Sequence, residues 1–93
     1  MSDLLKGKRG LIMGLANNKS IAWGIAKACH DAGAELAFTY MGDAFKKRVE
    51  PLASSINVTN IYDCDAGDSE SLDHVFSEIE AEWGNLDFVV HAI

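Results

Sequence analysis

The sequence is poor in proline and cysteine, with only Pro51, Cys29 and Cys64. One proline beside eight glycines excludes a collagen-like or Pro-rich disordered chain. Two cysteines are too few to staple a small secreted scaffold, and they predict reduced thiols in a cytoplasmic protein. There is no Cys-x-x-Cys, and the three histidines are scattered, which argues against a zinc ligand set. No apolar run reaches the roughly 18 residues of a membrane span, so no membrane partner is expected. The segment 1–8 lacks the apolar stretch of a secretory signal. Basic residues are missing from half of the chain. All eight Lys and Arg lie in residues 1–48 with four acids, whereas residues 49–93 hold ten acids and no Lys or Arg. The halves carry +4 and −10, giving the net charge of −6. An acidic chain of this kind is not expected to bind nucleic acid.

What is present is an alternation of apolar runs and amphipathic segments. The 93 residues allow one small domain or part of a larger one. Residues 9–13 read as a buried strand ending at Gly14. Residues 20–32 read as a helix with Ile21, Ile25, Ala28 and Cys29 on its packing face, Ala22, Ala26 and Ala32 allowing close approach, and Gly33 as the stop. Residues 35–40 read as a second strand. Residues 43–55 read as a helix capped by Asp43, with Phe45, Val49 and Leu52 at helical spacing; Pro51 should kink or end it. A third strand falls within 58–64. Asp68 or Ser69 caps a helix running to Trp83, with Leu72, Val75, Phe76, Ile79 and Trp83 on one face, and Gly84 stops it. Residues 86–93 read as a fourth strand, apolar except for Asp87 and His91.

This βαβαβαβ order predicts an α/β fold with a Rossmann-like, doubly wound parallel sheet in the order 3-2-1-4, covered on both faces. A sheet of this type continues past its fourth strand. Residues 1–93 are therefore expected to form the N-terminal half of a single dinucleotide-binding domain.

The loop between the first strand and the first helix, residues 14–24, is the informative stretch. In a doubly wound sheet this turn meets the pyrophosphate of a dinucleotide. Gly14 permits a tight turn. Ser20 and Ile21 open the helix, where free N–H groups and the helix dipole favour an anion, and the Ser20 hydroxyl adds a donor. Gly24 is expected to let the helix approach the sheet. The pattern is not G-x-G-x-x-G, because Asn18 and Ser20 stand where further glycines would be. Spacing alone leaves simple packing open as the reading of this loop. Asp65 likewise reads either as a ligand or as a turn residue after a strand.

Gly14-x5-Ser20-Ile21-Ala22-x-Gly24 resembles the divergent cofactor loop of the NADH-dependent enoyl-acyl carrier protein reductases of bacterial fatty acid synthesis. These belong to the short-chain dehydrogenase/reductase superfamily. The segments Gly33-Ala34-Glu35-Leu36-Ala37-Phe38-Thr39-Tyr40, Arg48-Val49-Glu50, Cys64-Asp65 and Val90-His91-Ala92-Ile93 resemble the same family, so the likeness runs over all 93 residues. It implies a cytoplasmic oxidoreductase of lipid metabolism that uses NAD (NADH) and acts on an enoyl-acyl carrier protein as a homo-oligomer, a tetramer by family likeness. Gly14 would line the adenosine side, and Ser20 and Ile21 would hold the pyrophosphate. Asp65 would accept from the adenine amino group, and the Ala66 backbone would contact the ring. Ala92 and Ile93 would lie at the ribose and nicotinamide end. Met41 stands at the ribose position, where many dinucleotide folds have an acid, many NADH-using relatives have Gln and some NADPH-using relatives have a basic residue nearby.

The resemblance places the catalytic Tyr-x6-Lys pair downstream of the fourth strand, so no catalytic residue is expected in residues 1–93. Tyr40 and Lys47 share that spacing by coincidence. His91 reads as a hydrogen-bonded core residue at a strand end. The alternatives are another short-chain reductase and a non-catalytic nucleotide-binding module.

Overall fold

The computed structural model describes residues 3–17 and 19–92, so the expectations for Asn18 and Ile93 lie outside the described residues. Strand β1, Arg9–Met13, lies at the centre of a four-stranded parallel sheet. β2 (Glu35–Tyr40) and β3 (Asn60–Asp63) extend it on one side, and β4 (Phe88–His91) lies on the other. The order β3-β2-β1-β4 is the expected one. Strands β1 and β2 are buried along nearly their whole length. That is how a strand covered on both faces reads in sequence.

Helices α1 (Ile21–Asp31) and α2 (Asp43–Ser55) cover one face, and α3 (Ser69–Trp83) covers the other. Ile12, Phe38 and Tyr40 point into the first layer with Ala22, Trp23, Ala26 and Val49. Leu11, Met13 and Ala37 point into the second layer with Val75 and Ile79. The period-two alternation of the strands thus feeds two cores.

Several local expectations need correction. The buried residues of α1 are Ala22, Trp23 and Ala26, with Ile25 and Cys29 packed against the same core as expected, whereas Ile21 is 80% exposed and Ala28 is exposed as well. Trp23 claims the sheet side by packing edge-on against Phe38, with ring centroids 6.4 Å apart. Gly24 faces open space, so it serves no close approach. The N-cap of α2 is Gly42 (φ +91°), and Asp43 is the first helical residue. Helix α2 also runs through Pro51, which lies on the exposed face. Phe76 is more exposed than its place on the α3 stripe suggested. His91 is exposed, not a core residue. The α3 caps are as expected: Asp68 accepts from the Glu70 N–H, and Gly84 ends the helix in the left-handed region.

Two contacts fix β4 against β1. Gly10 pairs with Phe88, whose ring lies across it where any Cβ would collide. At the N-terminal end of the sheet, the Arg9 guanidinium donates to the Trp83 carbonyl (2.6 Å), reaches Asn85 Oδ1 (3.4 Å) and stacks 5.6 Å from the Trp83 ring. The Arg9 N–H donates to Asp87 Oδ2 at 2.8 Å.

Candidate functional site

The turn after β1 is held by its neighbour strand. Gly14 has φ +91°, a conformation costly for any side chain. Its N–H donates to Thr39 Oγ1 at 3.3 Å, and the Leu15 N–H donates to the Thr39 carbonyl at 3.1 Å. Thr39 is the buried polar residue of this core, at 1% exposure. In the sequence Thr39 is a small polar side chain between Phe38 and Tyr40, and its spacing alone points to no role.

The loop then closes on itself before α1. The Lys19 N–H donates to Asn17 Oδ1 at 2.8 Å. The Ser20 hydroxyl donates to the Asn17 carbonyl at 2.8 Å and accepts from the Trp23 N–H at 3.3 Å. Ser20 is thus the N-cap of α1, and its proton is already committed. The donors left at this helix end are the N–H groups of Ile21 and Ala22, which have no acceptor among the described residues. The Ser20 hydroxyl therefore donates within the loop in this structure.

At the C-terminal ends of the strands lies a largely apolar cleft of about 290 Å³. Gly14, Leu15 and Ala16 form one wall, Tyr40, Met41 and Phe45 a second, and Cys64, Asp65, Ala66 and Gly67 a third, with Thr39 at the base. The structure thus brings Gly14, Met41, Asp65 and Ala66 together. Ser20 and Ile21 sit at the neighbouring helix end, outside the lining of this cleft.

Asp65 is a turn residue after β3. Its Oδ1 accepts from the Gly67 N–H at 2.9 Å, an Asx-type turn, and its own N–H donates to Ser71 Oγ at 3.0 Å. The carboxylate is exposed and borders the cleft. A largely apolar cleft bordered by a carboxylate can take an apolar group that carries a hydrogen-bond donor.

At the end of β2, Met41 is 57% exposed and carries no charge into the cleft. Burial pushes the neighbouring Tyr40 hydroxyl above its usual range. Lys46 opposes that shift, and Asp63, Glu50 and Asp43 add to it. Tyr40 is buried in the α1–α2 core, while Lys47 stands exposed on α2. No group of three or more His, Cys, Asp or Glu side chains suited to a metal occurs among the described residues. Cys29 and Cys64 are both free thiols.

Comparison with known proteins agrees with this geometry. The profile of the family described as Enoyl-(Acyl carrier protein) reductase matches residues 14–93. The chain is 60% identical over 92 residues to the "Enoyl-[acyl-carrier-protein] reductase [NADH] 1" of Rhizobium meliloti, covering 99% of this chain and 34% of that protein. It is 43% identical over 92 residues to the "Enoyl-[acyl-carrier-protein] reductase [NADH] FabI" of Rickettsia bellii, covering 99% and 35%. Among solved structures, the Anaplasma phagocytophilum reductase in complex with NAD superposes with a TM-score of 0.93 at 54% identity, over 98% of this chain and 35% of that one. FabI from Candidatus Liberibacter asiaticus superposes with a TM-score of 0.95 at 53% identity, with the same coverage. The chain spans about a third of the length of these relatives. With a family match over residues 14–93 on top of the strand order, turn and cleft described above, this chain belongs to the enoyl-acyl carrier protein reductase family.

Proposed function

We propose that residues 1–93 form the dinucleotide-binding first half of a single domain in a cytoplasmic NADH-dependent enoyl-acyl carrier protein reductase. The whole protein would reduce the 2,3 double bond of an acyl chain carried on acyl carrier protein, in fatty acid synthesis. The observation that carries this reading is one constellation. A glycine turn clamped by Thr39, a Ser20-capped helix end and an apolar cleft rimmed by Asp65 meet at the C-terminal edge of a parallel sheet. That edge, beside the first strand, is where doubly wound folds bind dinucleotides.

The residues present fit the cofactor. The N–H groups of Ile21 and Ala22, which have no acceptor among the described residues, suit a pyrophosphate, aided by the helix dipole. Leu15, Met41, Phe45 and Ala66 offer apolar walls to an adenine, and Asp65 offers an acceptor for its amino group. When bound, NADH supplies the hydride for the β carbon. The chain's own work is to bind and orient. The Tyr-x6-Lys pair that handles the enolate and the cofactor ribose belongs outside this segment, and acyl carrier protein and the oligomer contacts are assigned with it.

The test is direct. In the full-length protein, NADH is titrated by fluorescence and its oxidation is followed with an enoyl thioester. Saturable binding with turnover is expected. Turnover of a ketoacyl thioester in place of the enoyl one would reassign the reaction to another short-chain reductase, and absence of nucleotide binding would reject the reading altogether.

A further inference from the structure

The acid that many dinucleotide folds carry at the end of the second strand is missing here, yet a carboxylate stands at the same corner. Parallel pairing sets Asp63, the last residue of β3, opposite Tyr40, the last residue of β2. From there Asp63 Oδ1 accepts a hydrogen bond from the Gly42 N–H at 3.1 Å. Its second oxygen has no hydrogen bond among the described residues, and the side chain is exposed. Gly42 begins α2 with φ +91°, so this bond holds the turn in a conformation that other residues avoid.

The charges around this corner are unbalanced. Asp63, Glu50 and Asp43 act on the Tyr40 hydroxyl together with a single cation, Lys46. Lys46 is itself 3.9 Å from Glu50. Arg48 stacks over Phe45 at 5.9 Å and lines a different cleft with Lys19. Lys47 is exposed on α2, so of the charges that act on the Tyr40 hydroxyl three are acids and one is a cation. In doubly wound sheets the ribose hydroxyls of the adenosine lie at this strand end.

Resting on the NADH reading above, we infer that Asp63 is the specificity-determining carboxylate of the ribose corner. Supplied from β3, it fixes the Gly42 turn and sets a negative charge there that rejects the 2′-phosphate of NADPH. Met41 contributes shape but no charge. The role is electrostatic exclusion, and it requires no contact between Asp63 and the bound NADH.

The experiment measures Kd for NADH and NADPH by fluorescence titration in the full-length protein, for wild type, Asp63→Asn and Asp63→Glu. Asn keeps an oxygen for the Gly42 N–H and removes only the charge. Asp63→Asn is expected to tighten NADPH about 3- to 10-fold, the scale of one unit-charge repulsion a few ångströms away in a largely solvated corner. NADH binding is expected to change less than about twofold, and Asp63→Glu to keep the wild-type ratio. A purely structural role would move both cofactors together. In wild type the NADH preference should also shrink as salt is raised from roughly 0.05 to 0.5 M, because screening weakens exposed charges. This reading needs no variant to fold. An unchanged NADPH/NADH ratio in Asp63→Asn with NADH still bound, or a salt-independent ratio in wild type, would overturn the role of Asp63 and leave the cofactor reading standing. Failure of wild type to bind NADH would overturn both.

Discussion

Thr39 holds Gly14 and the residue after it, one with each of its oxygens. The hydroxyl takes the Gly14 N–H at 3.3 Å, and the carbonyl takes the Leu15 N–H at 3.1 Å. The end of β2 therefore shapes the turn that follows β1. Thr39→Val keeps the volume and the strand preference but leaves a half-buried N–H without an acceptor. A stability loss of about 1 to 3 kcal/mol is expected, read from urea midpoints. NADH affinity of the full-length protein should fall as well, because the turn loses its clamp. Unchanged midpoint and affinity would show that the hydroxyl is dispensable.

Ser20 should act through the helix end it caps. Ser20→Ala removes the bond to the Trp23 N–H and the bond to the Asn17 carbonyl, at a cost of about 1 kcal/mol in stability. Ser20→Glu adds a negative charge where an anion should sit. It is expected to weaken NADH by about 1 to 3 kcal/mol beyond the alanine variant, checked by titrating both. Equal dissociation constants for the two variants would place the pyrophosphate elsewhere.

Pro51 is the ninth residue of an unbroken helix, so the chain tolerates its missing N–H at an exposed position. Pro51→Ala restores a donor for the carbonyl one turn back. Proline inside a helix costs on the order of 3 kcal/mol, of which up to about 1 kcal/mol returns through a stiffer unfolded chain. A net gain of about 1 to 2 kcal/mol is expected, measurable as a raised Tm. A lowered Tm would show that α2 is packed around the ring.

Alkaline pH should destabilise the fold. Burial raises the Cys29 thiol above 9.0 and the Tyr40 and Tyr62 hydroxyls above 10.0, the values of the free groups. Each group keeps its proton longer folded than unfolded. The stability it contributes is full below its free value and is lost as pH rises through its folded value. Urea midpoints should therefore be flat below about pH 9 and fall beyond it. Replacing Tyr40 and Tyr62 with Phe should flatten the fall. A slope unaffected by those changes would assign it to other groups.

The sequence made the element order, the strand order and the two-faced cover legible, because apolar strands and helical stripes follow directly from burial. The cleft was legible in part. Gly14, Met41, Asp65 and Ala66 do line one space, while Ser20 and Ile21 sit at the helix end beside it. What stayed hidden depends on contacts between strands. The use of Thr39 requires knowing that β2 ends beside the β1 turn, and that of Asp63 requires the β2–β3 register. On α1 the spacing marks Ile25 and Cys29 as packing residues, which they are, but it also marks Ile21, which is exposed. Trp23, one position around from the small alanines, outbids it for the sheet. His91 failed for a similar reason: its strand alternates, and its place falls outward.

The long reach of Arg9 has a consequence for synthesis on the ribosome. β1 finds β2 about 26 residues later along the chain, but its other edge waits for β4, and its Arg9 for Trp83, Asn85 and Asp87. By the time β3 ends at Asp63, three strands can already be paired while the inner edge of β1 remains bare. At translation rates of about 5 to 20 residues per second, the stretch to Phe88 takes roughly 1 to 5 s. During that interval the central strand presents an open edge of Gly10, Leu11, Ile12 and Met13, the kind of surface on which nascent chains associate. The nascent chain is most vulnerable then, and the arrival of Phe88 across Gly10 closes the window.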